Sequence, residues 1–141
     1  MDGEINNTPR VFGLEEASHR ADFKLEEIVE FIYATASSRE DFAAAMTNLH
    51  TALDKAARKV QSKEHPESPL VGQVDALIDL LYLTYGSFVL MGVDPSSVFN
   101  SVHAANMGKI FPDGKAHFDP VTHKGLKPDD WEARFAPKPA I

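Results

Sequence analysis

The chain contains no cysteine, a single tryptophan and fewer basic than acidic residues. Without cysteine it forms neither a disulfide framework nor a thiolate catalyst, which fits a reducing cytoplasm. The 14 Lys and Arg against 21 Asp and Glu give a net charge of -7, which repels a polyanionic duplex. We therefore expect a cytoplasmic protein that has no nucleic-acid polymer as its partner, and any phosphate-bearing ligand would need local cations.

The pattern of a signal peptide and a long uninterrupted apolar run are also missing from the sequence as given. Its first residues, MDGEINNTPRVFG, have neither the basic nor the apolar region of a signal peptide. The longest apolar run, over residues 76–93, is barely membrane length and carries Asp79, Thr84 and Ser87. We interpret this run as a buried helix and expect no membrane partner.

Apolar residues recur at helical spacing in four segments. At 141 residues and 43% hydrophobic, the chain suits one domain over residues 1–141 with a modest core. The pattern predicts helices over about residues 14–36, from Ser38 to about 61, over 70–91, and from a cap at Asp94 to about 107. Residues 1–12 are predicted to be flexible. Residues 110–141 are predicted to form an irregular arm with a tight turn at Asp113 and Gly114. The predicted fold class is an all-α bundle of about four helices.

Two carboxylates interrupt the apolar helix over residues 70–91. On a helical projection Asp75, Asp79, Tyr82 and Gly86 fall in one narrow stripe, whereas apolar residues occupy nearly every other direction. The two carboxylates repel each other, and burying each one costs roughly several kcal/mol. Either a cation between them or a pair of interhelical salt bridges would resolve the conflict.

A second group of carboxylates lies in KLEEIVEF of the first helix. Glu27 and Glu30 share a face, and Glu26 lies beside them. Taken alone, these residues are typical of a solvated helix surface. If their face met Asp75 and Asp79, four carboxylates would form an oxygen-rich cage suited to Mg²⁺ or Mn²⁺.

Five segments together carry a family resemblance: EEIVE, DALIDLLYLTYG, GVDPSSVFNSVHAANMGK, DGK and GLKPDDW. The chain resembles the all-α nucleoside triphosphate pyrophosphohydrolases, the MazG-like and phosphoribosyl-ATP pyrophosphohydrolase-like group. In that group an E-x-x-E pair and an E-x-x-D pair bind magnesium, and Glu27, Glu30 and Asp79 match three of these positions. Ala76 stands at the fourth, and Asp75 on the same face is expected to replace the missing glutamate.

The resemblance also implies where the substrate binds. Asn106 and Lys109 in ANMGK match positions that contact the nucleotide and its phosphates, and Tyr82 on the acidic stripe is expected at the same substrate. Lys127 belongs to a group of arm lysines whose charge suits an arm that folds over a triphosphate. Trp131 is expected either to stack on a base or to anchor the arm.

The activity implied by the resemblance is hydrolysis of a (deoxy)nucleoside triphosphate to the monophosphate and pyrophosphate. Two or more Mg²⁺ or Mn²⁺ ions are expected at Glu27, Glu30, Asp75 and Asp79, and Glu26 is the candidate general base. Small viral relatives include enzymes that act on purine deoxynucleotides such as dGTP, and this resemblance favours a purine dNTP as substrate. For a viral protein the expected location is the host cytoplasm. Phosphoribosyl-ATP hydrolysis and a non-catalytic helical interaction module are the alternatives.

Both the resemblance and the apolar helix over residues 70–91 predict assembly with further copies. Four helices from one chain cover such a helix only partly, so another copy is the expected cover. The predicted bundle is therefore completed by oligomerisation. The resemblance implies a homo-oligomer that is a tetramer rather than a dimer, since small members of the family build the bundle from two chains and often pair again.

Overall fold

The computed structural model describes residues 7–122 and 124–135 of the chain. Within these ranges it is all-helical, with α1 (Leu14–Thr35), α2 (Arg39–Gln61), α3 (Pro69–Met91), α4 (Ser96–Met107) and the short α5 (Trp131–Phe135). The described residues form no β-strand beyond two isolated bridges. The all-α prediction is confirmed, and the four long helices begin and end within about a residue of their predicted bounds.

The helix ends follow from their capping residues. Ser38 Oγ accepts a hydrogen bond from Asp41 N at 3.0 Å, as the sequence predicted for the start of α2. Asp94 Oδ1 accepts bonds from the hydroxyl and the backbone N–H of Ser96, at 2.6 and 2.9 Å. These two bonds hold the pKa of Asp94 below its usual value. Gly92 has a φ of 68° and ends α3 in the left-handed conformation.

The chain divides into two compact units, Asn6–Leu77 and, for the most part, Ile78–Ile141, so the boundary falls within α3. In the first unit α1 packs on α2, where the rings of Tyr33 and Phe42 meet edge-on at 5.3 Å. Phe12 N donates to Gln73 Oε1 at 2.9 Å, and Gln73 Nε2 donates back to Phe12 O at 3.0 Å. Of the segment predicted to be flexible, residues 1–6 lie outside the described residues, whereas Phe12 is held by this pair of bonds. The single-domain organisation stays a prediction.

In the second unit the arm begins with the predicted tight turn. Phe111 N donates to Lys115 O at 2.9 Å, and Gly114 adopts a φ of 78° between them. His117 Nε2 lies 2.7 Å from Asp113 Oδ2, and this contact holds the pKa of the Asp113 carboxyl below its usual value. The first part of the arm is therefore ordered by local backbone and side-chain bonds.

The last described element of the arm is α5, a helix that the sequence did not predict. Trp131 Nε1 donates to Ala105 O of α4 at 2.7 Å, and the ring of Phe135 lies against Gly108. A helix of five residues is too short to be stable by itself in water. Contacts with the end of α4 therefore hold α5 in place.

The contact between Gly108 and Phe135 leads to a stability prediction. The φ of Gly108 is -66°, which any residue adopts, so the glycine is required for space rather than for conformation. A Cβ at this position would collide with the ring of Phe135. We expect Gly108→Ala to destabilise the protein by about 1–3 kcal/mol, as overpacking does. Thermal unfolding followed by circular dichroism measures the loss.

Gly125→Ala is the matched control in the same arm. The Cβ that it adds meets Phe118 Cε1 at 3.9 Å, an ordinary van der Waals distance. We expect this variant to melt within a few degrees of the wild type. Equal losses in the two variants would show that the Phe135 contact is not the cause.

No side chain among the described residues is fully buried. α3 exposes many of its apolar side chains, among them Leu90 at 91% and both Tyr82 and Val89 at 77%. The prediction that this helix is buried is therefore wrong for the single chain. The hydropathy of α3 indicates that its apolar surface favours burial, but it does not indicate which molecule buries it.

Candidate functional site

Three predicted site residues, Glu26, Glu27 and Glu30, lie in the second half of α1, and all three are exposed. Glu30 is the third residue after Glu27, a spacing that places their carboxylates on one side of the helix. Within the described ranges none of the three side chains takes part in a hydrogen bond or an ion pair. The helix therefore presents a carboxylate pair that is not neutralised by the part of the chain that is described.

Asp75 and Asp79 form the second carboxylate pair, one turn apart in the continuous helix α3. Four residues of helix rise by about 6 Å, so one cation between the two side chains is within reach of both. Both residues are exposed, and neither has an ion-pair partner in the described parts of the chain. The alternative of interhelical salt bridges therefore has no support among these residues. Tyr82 lies on the same side of α3, with 77% of its surface exposed.

The described residues do not bring the two carboxylate pairs into one metal site. No three His, Asp or Glu side chains in these ranges lie close enough together to hold an ion. The donors nevertheless fit the expected metal, because Mg²⁺ and Mn²⁺ prefer hard carboxylate oxygens and complete their shells with water and substrate phosphates. The described residues thus present two separate carboxylate pairs, and the four-acid cage stays a prediction.

The structure gathers three of the four predicted substrate-binding residues around one indole. Lys109 Nζ donates to Asn106 Oδ1 at 2.9 Å and lies 6.0 Å from the centroid of the Trp131 ring. Lys127 Nζ lies 4.0 Å from the same centroid. Two ammonium groups, an amide and an aromatic face therefore meet at the end of α4, which suits the binding of phosphate groups.

Trp131 anchors the arm, which is one of the two roles that the sequence predicted for it. Its N–H is bonded to the carbonyl of Ala105, and one face of its ring is occupied by Lys127. Sequence reasoning missed Glu132, whose Oε1 accepts a hydrogen bond from Lys127 Nζ at 3.0 Å. The spacing from Lys127 to Glu132 was visible in the sequence, but it follows no regular helical period and gave no signal.

Comparison with known proteins places these features in a family. The family model of phosphoribosyl-ATP pyrophosphohydrolase matches residues 1–106, which include both carboxylate pairs. The crystal structure of a protein from Exiguobacterium sp. 255-15, provisionally named an NTP pyrophosphohydrolase, is similar to this chain with a TM-score of 0.83 and 36% identity. The similarity covers 92% of this chain and 79% of that one. No curated protein matches the chain. The chain belongs to the phosphoribosyl-ATP pyrophosphohydrolase family and is a pyrophosphohydrolase of the MazG-like all-α fold.

Proposed function

We propose that the protein hydrolyses a (deoxy)nucleoside triphosphate to the nucleoside monophosphate and pyrophosphate, and that it requires Mg²⁺ or Mn²⁺. The observation that carries the proposal is the two pairs of exposed carboxylates on α1 and α3 that have no partner among the described residues. Carboxylates that are not paired with a basic side chain of the protein remain available to bind a metal ion. Two or more ions per site would match the charge of the pairs.

Glu27, Glu30, Asp75 and Asp79 are the residues that would hold the ions. When bound, the ions would neutralise the charge of the triphosphate and lower the pKa of the water molecules that they coordinate. In the hydrolytic step, the water oxygen bonds to the α-phosphorus, and the bond from that phosphorus to the bridging oxygen breaks as pyrophosphate leaves. Glu26 is adjacent to Glu27 but about 100° around the helix, where it accepts the proton of the attacking water.

Asn106, Lys109 and Lys127 are proposed to bind the phosphates, and Tyr82 to contact the substrate beside the aspartates. The two ammonium groups would stabilise the charge that develops on the leaving pyrophosphate. We propose a purine deoxynucleotide such as dGTP as the preferred substrate, on the strength of the likeness to small viral enzymes. We propose a cytoplasmic location, which for a viral protein is the host cytoplasm.

Phosphoribosyl-ATP is the second candidate substrate, because the matching family model carries its name. Its hydrolysis would use the same carboxylates and release the same pyrophosphate. The non-catalytic alternative has no support, since the chain belongs to a family of enzymes. Phosphoribosyl-ATP carries an additional phosphoribosyl group on its adenine ring, which the common nucleoside triphosphates lack, so direct comparison of the rates distinguishes the two candidates.

We further propose a homo-oligomer, a tetramer rather than a dimer, in which a second copy covers α3. The exposed apolar side chains of α3 support this proposal, as does the absence of a complete metal site among the described residues. By length and composition α3 could also cross a membrane. Two aspartates one turn apart on this helix disfavour a lipid environment, so a second copy is the better cover.

A substrate panel tests the proposed function. The common ribo- and deoxyribonucleoside triphosphates and phosphoribosyl-ATP are each incubated with the protein and Mg²⁺, and released pyrophosphate is measured. We expect the highest rate with a purine deoxynucleotide and no release in the presence of EDTA. Hydrolysis of phosphoribosyl-ATP alone would establish the second candidate, and release from none of the substrates would refute both.

A further inference from the structure

Trp131 is fixed to α4 from one side and contacted by cations from another. Its indole N–H donates to Ala105 O at 2.7 Å, immediately before Asn106 in the sequence of α4. The ammonium groups of Lys109 and Lys127 lie 6.0 and 4.0 Å from the ring centroid. Because the ring is bonded to α4, which ends two residues before Lys109, it brings Lys127 of the arm close to the end of that helix.

The charge around this ring is not balanced. Lys127 is compensated by Glu132 at 3.0 Å, whereas Lys109 has only the neutral amide oxygen of Asn106, at 2.9 Å. Among the described residues Lys109 has no carboxylate within ion-pair distance. The group formed by Lys109, Lys127 and Glu132 therefore carries a net positive charge, although the whole chain carries -7. Two ammonium groups that share one ring repel each other unless an anion lies between them.

We propose that Trp131 is the positioning residue of a polyphosphate-binding cluster, and that it acts by holding Lys127 and Lys109 on one ring so that both reach the same phosphate chain. This inference rests on the proposed function and adds the residue that organises its phosphate-binding side. A cation–π contact is weaker than a charge-assisted hydrogen bond to phosphate. The ring therefore orients the ammonium groups, which leave it to bind the phosphates when the substrate arrives. In this role Trp131 acts through the lysines and needs no contact with the base.

In the absence of phosphate the Glu132 carboxylate pairs with Lys127, and a phosphate chain that binds Lys127 displaces this carboxylate. The carboxylate is 69% exposed and the Lys127 side chain 45% exposed, so their pair is a weak one. We expect Glu132→Gln to tighten the binding of inorganic tripolyphosphate by about two- to five-fold, the range of an exposed ion pair. Weaker binding by this variant would show that Glu132 supports the cluster rather than competing with phosphate.

A double-mutant cycle tests the positioning role. We expect Trp131→Ala to raise KM for the best triphosphate by about five- to thirty-fold with a smaller change in kcat, and Lys127→Gln to raise KM by a similar factor. On the Lys127→Gln background, Trp131→Ala should add less than about two-fold, because only Lys109 then remains of the two lysines that the ring holds, and its ammonium group lies at the greater distance of 6.0 Å. Trp131→Phe keeps the aromatic face but loses the bond to Ala105, and its KM should lie between those of the wild type and Trp131→Ala.

A merely structural role for Trp131 gives a different pattern. In that case Trp131→Ala would lower the melting temperature and kcat equally with and without Lys127→Gln. The fold-changes in KM of the two single variants would multiply in the double variant. Equal fold-changes in KM with and without Lys127, or an unchanged KM in Trp131→Ala, would overturn the proposal.

Binding can be measured without hydrolysis, because Trp131 is the only tryptophan. We expect inorganic tripolyphosphate to change the fluorescence of the wild-type protein, and Lys127→Gln to need a higher concentration for the same change. A wild type that binds tripolyphosphate but hydrolyses no triphosphate would refute the proposed function and leave the cluster standing. A wild type that hydrolyses triphosphates but whose fluorescence does not respond to tripolyphosphate would refute the cluster alone.

Discussion

Asp79→Asn and Glu30→Gln are each expected to lower turnover by about a thousand-fold or more, while the helical circular dichroism signal remains that of the wild type. Metal ions contribute several kcal/mol to the stabilisation of transition-state charge, and each variant removes a proposed ligand. Both carboxylates are exposed and have no hydrogen-bond partner among the described residues, so their neutralisation breaks no described contact. Pyrophosphate release at saturating nucleotide and Mg²⁺ measures the effect.

Asp54→Asn is the control for these variants. Asp54 is an exposed carboxylate in α2, away from both pairs in the sequence, and it should keep near-wild-type rates. The metal-free Asp79→Asn protein should melt at or above the wild-type temperature, since it loses a like charge one turn from Asp75. Near-wild-type turnover by Asp79→Asn with Mg²⁺ would rule out the carboxylate pairs as the metal site.

Leu81→Lys is expected to dissociate the assembly and remove activity with it. Leu81 lies on α3, 51% exposed in the single chain, on the side of the helix away from Asp79. Burying a lysine in an apolar interface is unfavourable, so the variant should populate a species of 15.5 kDa that hydrolyses nucleotides at a small fraction of the wild-type rate. Light scattering across a dilution series, with activity measured on the same samples, follows both properties.

The control for assembly is Val121→Lys. Val121 is 84% exposed in a turn of the arm, and a lysine there should change neither the mass nor the rate. A Leu81→Lys protein that is monomeric and fully active would show that one chain forms a complete site and that the proposed interface is not required.

The helices could be predicted because their signals are local. Apolar spacing and the caps at Ser38 and Asp94 fixed α1 to α4 to within about a residue. α5 has no such signal, since five residues are too few for a helical pattern. It forms because Trp131 and Phe135 contact Ala105 and Gly108, and such contacts between distant parts of the sequence are not visible in a pattern.

The carboxylate pairs were predictable for the same reason, because residues three or four apart on a helix share a face. The position of one pair relative to the other was not predictable, since it depends on how the helices assemble and on which molecule covers α3. The phosphate-binding side was predicted in part. Resemblance pointed to Asn106 and Lys109, but only the structure brings Lys127 to the same indole and shows Glu132 bonded to it.

Hydrolysis of the best triphosphate in water labelled with heavy oxygen tests the central claim most directly. If water attacks the α-phosphorus, as we propose, mass spectrometry will find the label in the nucleoside monophosphate and none in the pyrophosphate, and EDTA will stop the reaction. Label in the pyrophosphate, or release of orthophosphate as the first product, would contradict the proposed reaction.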